Sequence, residues 1–120
     1  MKTIRSLLLL LLTVSLLLSL VSCGEPIDRI ERILTEEGFT VVRTEEKLHA
    51  DLEARLEATR PGEWLDVYVF KEDKKDVAET MYQSMLKNYE KLPNMIAVLD
   101  GTTLIHGHRT VYLLLPSTCT

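Results

Sequence analysis

His106-Gly107-His108 is the pairing of residue types in this chain whose spacing suits metal binding. Residues two apart on an extended strand share a face, so both imidazoles can reach one ion. A zinc site takes three or four protein ligands. His49, Asp100 and Cys119 are the side chains that could complete one, and no spacing ties them to the pair. Two histidines around a glycine also read as the polar end of a hairpin. Cys119 stands one residue from the end of the sequence. A nucleophilic thiol needs a depressed pKa and a positioned base, and a chain end positions little. There is no Gly-rich phosphate loop, no serine of the nucleophile-elbow type and no closely spaced carboxylate pair in a loop. Glu36-Glu37 and Glu45-Glu46 read as solvated element ends, and Trp64, beside Pro61-Gly62, as a core residue capping a sheet edge, with an exposed binding aromatic as the alternative. No catalytic residue, metal ligand or cofactor is assigned on this basis.

The other cysteine closes a different pattern. Lys2 and Arg5 precede a leucine-rich run with no charge from Ser6 to Cys23. A basic start, an apolar stretch and small residues near a cleavage site make an export signal. A membrane-spanning helix wants about 20 apolar residues, and here Thr13, Ser15 and Ser19 interrupt the run. The run ends in Leu20-Val21-Ser22-Cys23, which resembles the lipobox of bacterial lipoproteins. The resemblance covers residues 1–23 only. It implies that the Cys23 thiol receives a diacylglyceryl group and that a peptidase cuts after Ser22. Residues 1–22 are then the signal peptide and 23–25 a lipidated tether. The protein is expected on the exported side of the cell membrane or the outer membrane, held by palmitate-type acyl chains. One chain holds only marginally and two or more hold firmly.

Loss of residues 1–22 removes Lys2 and Arg5 and no acidic residue, so the net charge falls from −4 to −6. That balance argues against nucleic acid, which demands a basic stripe. It also argues against a second, electrostatic hold on anionic lipid. With Cys23 acylated, Cys119 has no disulfide partner in the chain. A domain this small must then rely on its apolar core.

Residues 26–120 read as a single small α+β domain. Ile27, Ile30, Ile33 and Leu34 lie at helical spacing between Pro26 and Gly38, which predicts a helix over 26–37. The β-branched run at 39–44 predicts a strand. Leu48, Leu52 and Leu56 recur four apart among Ala, Glu and Arg up to Pro61-Gly62, which predicts a second helix. Residues 64–70 are the clearest strand. Leu65, Val67 and Val69 alternate with Trp64, Tyr68 and Phe70, so both faces are apolar, as in a central strand covered twice. Val77, Met81, Met85, Tyr89 and Leu92 mark a helix over 74–91, with Asp73 as its cap and Pro93 as its stop. Met81 and Met85 are expected to face Val67 and Val69. Two strands should flank Asp100-Gly101, Gly107-His108 should break or bulge the second of them, and 109–115 should form a last strand. The order is α-β-α-β-α-β-β-β. It suggests one mixed or antiparallel sheet of four to five strands with helices on one face, closest to a ferredoxin-like arrangement.

These readings make the chain a membrane-anchored lipoprotein whose small domain binds or interacts without catalysis. An envelope protein is the open partner class, and the sequence does not specify a ligand. Two alternatives stand beside it. One is a metal-binding lipoprotein using His106 and His108. The other is a small cell-envelope enzyme whose site assembles from scattered Asp, His and Cys residues.

Overall fold

The computed structural model describes residues 26–116. The expected signal peptide and tether, with the expected lipidation residue Cys23, lie outside them, as does Cys119. The described residues form one antiparallel sheet of five strands in the order β1-β2-β3-β5-β4, an α+β fold. Helix α1 spans Pro26–Glu36, β1 Thr40–Thr44, β2 Leu52–Arg60 and β3 Glu63–Phe70. A 3-10 turn over Glu72–Lys74 leads into α2, Lys75–Asn88. Then come β4, Met95–Asp100, β5, Thr103–His108, and a one-turn helix α3, Arg109–Tyr112.

Helix α1 buries Ile27, Ile30 and Leu34, the stripe that its spacing predicted. It stops where the N–H groups of Gly38 and Phe39 bond back to Thr35 and Leu34 carbonyls at 3.1 and 3.0 Å. Arg43 on β1 clamps this helix by ion pairs with Asp28 and Glu31, and it also pairs with Glu45. At the far end of the same layer Arg60 lies over the Phe39 ring and donates to the Glu37 carbonyl.

The expected second helix is instead strand β2. Leu52, Ala54, Leu56 and Ala58 are four apolar residues in strict alternation, and a spacing of four satisfies a period of two as well as one of 3.6. Leu, Ala, Glu and Arg are good helix formers, but pairing on both sides overrides that preference. β2 bonds to β1 along one edge and to β3 along the other. The hairpin closes through Pro61-Gly62. Gly62 has φ +80°, the left-handed value that the second central residue of a type II turn needs. Arg60 and Glu63 pair across that turn at 2.7 Å.

The expected last strand is also absent. Beyond His108 the chain turns out of the sheet, and the Arg109 N–H donates to the Asn94 carbonyl at 2.7 Å. On that side a continuing ladder would face Pro93, which has no N–H to give. The chain folds into α3 and buries Val111 completely against the core. The break expected at Gly107 does not occur, since Gly107 pairs with Leu65 and with Ile96 inside β5.

Helices cover both faces of the sheet, not one. On the first face α1 and α3 enclose Leu56, Ala58, Leu65, Val67 and Ile105, with Val69 packed alongside. On the second face α2 covers Phe70 and Leu104, and Tyr68, Tyr82, Met85 and Leu99 fill in around them. Val67 and Val69 therefore do not meet α2. Successive side chains of β3 point to opposite faces, and α2 lies on the Tyr68–Phe70 side. Met85 packs there, while Met81 is 38% exposed. Asp73 falls inside the 3-10 turn, and the residue capping α2 is Lys74, with no side-chain cap bond. The arrangement is not ferredoxin-like, because that fold needs a parallel neighbouring pair and every pair here is antiparallel. None of the helices among the described residues is long and apolar enough to cross a membrane.

Candidate functional site

Helix α2 packs over β4 and β5, which leaves the second face open over β1, β2 and the first half of β3. Strand register decides what this open half displays. Asp66 on β3 lies opposite Glu57 on β2 and opposite His106 on β5. Glu57 lies opposite Val42 on β1, and Trp64 lies opposite Thr59. Val42-Glu57-Asp66-His106 is thus one row across four strands.

His106 anchors the row where α2 ends. It is 7% exposed. Its ring stacks with Tyr68 at 5.4 Å and with Tyr89 at 6.3 Å, and Trp64 meets it edge-on at 5.4 Å. The Tyr89 hydroxyl and His106 Nδ1 are 2.9 Å apart. In the tautomer with Nδ1 accepting, Nε2 carries the proton and faces Asp66 Oδ2 at 3.9 Å. That separation is too long for a hydrogen bond, and Nε2 has no partner. Burial, helped by the positive charge of Arg55, pushes the His106 pKa down to about 4. The imidazole is neutral at physiological pH.

Arg55 organises the charged part of the site. Its Nη2 lies 2.8 Å from Glu57 and 3.6 Å from Asp66, and its guanidinium sits over the Tyr68 ring at 5.1 Å. Burial raises the Asp66 pKa, Arg55 opposes that rise, and Glu57 adds to it. Burial likewise raises Tyr68 and Tyr89.

The His106-His108 pair does not converge on one point. His108 Nδ1 accepts the backbone N–H of Trp64 at 3.1 Å, His106 Nδ1 is engaged with Tyr89, and the Trp64 ring stands T-shaped to both imidazoles. His49 is exposed and pairs with Asp51 ahead of β2. It lies by the Phe70 end of β3, about 13 Å of strand from Asp66. Asp100 is at the β4–β5 turn, opposite Thr103. Among the described residues no three His, Cys, Asp or Glu side chains group closely enough to hold a metal.

Tyr89 is hydrogen-bonded to His106, but the gap between His106 Nε2 and Asp66 breaks any relay, and no serine, threonine or cysteine hydroxyl or thiol is hydrogen-bonded to His106 among the described residues. What the open half offers is an aromatic wall, fixed carboxylates and a bound guanidinium, which suits recognition. Trp64 is half-buried on this face, not a cap at a sheet edge. Arg55 and Glu57 escaped sequence reasoning because β2 was expected to be a helix. The strict alternation from Leu52 to Thr59 was the signal that would have placed them.

No family model, curated protein or solved structure matches this chain.

Proposed function

We propose that the protein is an exported, lipid-anchored binding module that engages its ligand on the open half of the sheet. The observation that carries the binding part is the uncovered row through Val42, Glu57 and Asp66, beside Trp64. Val42 is 52% exposed in mid-strand, next to side chains held rigid by Arg55 and His106. A sheet face stocked in this way and left free by its own helix favours an external occupant. The lipobox-like Leu20-Val21-Ser22-Cys23 supports the anchor.

Two measurements test this reading. Metabolic labelling with a radioactive fatty acid should mark the wild type and not Cys23→Ala, and equal label in both would remove the anchor. A photocrosslinking amino acid at position 42 should give discrete adducts in intact cells. The same group at exposed Gln83, on α2, should give none. Equal yields at both positions would remove the open half as the binding face.

A further inference from the structure

Glu57 and Asp66 stand directly opposite each other in the β2–β3 ladder. Like charges in that position repel and destabilise the pair. A single guanidinium serves both carboxylates, with Arg55 Nη2 at 2.8 and 3.6 Å. The trio therefore keeps one uncompensated negative charge. His106 does not supply the missing cation. Its side chain is 9% exposed, and its Nε2 points at Asp66 from 3.9 Å with no partner. The pKa of about 4 keeps it neutral. Asp66, with a side chain only 17% exposed, is thus a poorly compensated carboxylate in the wall of an open surface.

Val42, Glu57, Thr59, Trp64 and Asp66 line a depression of ≈ 390 Å³, a size that suits a small group. Its charge and its walls select the occupant. We propose that this depression binds an organic cation, an alkylammonium or guanidinium group whose charge sits between Glu57 and Asp66 and whose stem lies on Trp64 and Val42. An indole face attracts such a cation, Val42 covers an alkyl stem, and the carboxylates gain charge-assisted hydrogen bonds. The inference rests on the open half being the binding face, and it adds the chemistry of the ligand. That chemistry occurs in the Lys or Arg side chains of a polypeptide and in small free amines.

Trp64 is the only tryptophan, so its fluorescence reports on this site alone. The full-length chain in detergent is titrated with n-butylammonium, n-butylguanidinium, 1-butanol and butyrate. The two cations should give a saturable change that weakens with salt, and the alcohol and the carboxylate should give none. In Glu57→Gln/Asp66→Asn, checked for folding by circular dichroism, cation affinity should fall about tenfold or more. Glu57→Gln alone, at a half-exposed carboxylate, carries the same expectation if the double variant does not fold. A response to 1-butanol equal to that of the cations, or unchanged affinity in the variants, overturns the proposal. Tighter binding of Gly-Lys-Gly than of butylammonium assigns the cation to a polypeptide, and equal binding assigns it to a free amine. Adducts at position 42 in cells without any amine response overturn the cation alone. The absence of both overturns the binding face with it.

Discussion

His106 couples stability to acidity. It is packed by Tyr68, Asp66 and Trp64 from β3, by Tyr89 after α2 and by the charge of Arg55 on β2. Its folded pKa, about 4, lies below the ordinary 6.5. The unfolded chain therefore takes up the proton first. The stability from keeping this ring neutral is complete above about pH 6.5 and is lost as pH falls towards 4. The raised pKa of Asp66 acts in the opposite sense, since its charged form is the disfavoured one. His106→Phe, which keeps a planar ring against the tyrosines, should flatten the fall in denaturation midpoint between pH 7 and pH 4.5. An acid limb identical to wild type would contradict this account. Gly107 is a position that admits only glycine. It sits at φ +148°, and an added Cβ would lie 2.5 Å from the Trp64 carbonyl oxygen and 2.8 Å from Leu65 Cα. Gly107→Ala should cost about 2–4 kcal/mol in urea denaturation, combining backbone strain with overpacking.

The elements are unequally held. β2 lies between β1 and β3 and buries Ala54, Leu56 and Ala58. α2 buries only Ala78 fully and leaves Met81 and Leu86 exposed. Leu56→Ala should therefore lower stability by about 2–5 kcal/mol. Met81→Ala should shift it by no more than about 0.5 kcal/mol, and comparing the two denaturation midpoints checks the assignment of the core. The same contrast should appear in amide exchange, with α2 exchanging well before β2, β3 and β5. Equal protection in α2 and β3 would mean that the helix is held by more than the Phe70–Leu104 cluster.

At the scale of the molecule the two faces have different neighbours. If Cys23 carries the lipid, only Gly24 and Glu25 separate it from Pro26, a reach of roughly 10 Å over three residue steps. α1 then lies close to the bilayer, and α2 lies across the sheet from it, about 10 Å farther for each packed layer. In vesicles carrying a headgroup quencher, a fluorophore on Cys replacing Asp28 in α1 should be quenched strongly. One replacing Gln83 in α2 should be quenched weakly. Equal quenching would separate the anchor from the orientation of the domain. The open half, on the α2 side, then faces away from the membrane, where an external ligand arrives.

The sequence by itself determined α1, β1, β3, the existence of α2 and the β4–β5 hairpin. Each follows from a local period or turn, namely the Ile27-Ile30-Leu34 stripe, the two apolar faces of 64–70 and the Asp100-Gly101 turn. The α+β class followed from these elements. Tertiary structure decided the identity of β2, because its apolar residues fit two periods and only pairing with β1 and β3 selects one. It turned 109–112 into a helix, because Val111 found burial where the ladder had lost its partner. It placed α2 on the Tyr68 face, against Leu104 and not Val67. The site divides in the same way. His106 could be singled out by its spacing from His108, whereas its neighbours Arg55, Glu57, Asp66 and Tyr89 come from three other segments. Nothing local brings those segments together; antiparallel register and the landing of α2 do.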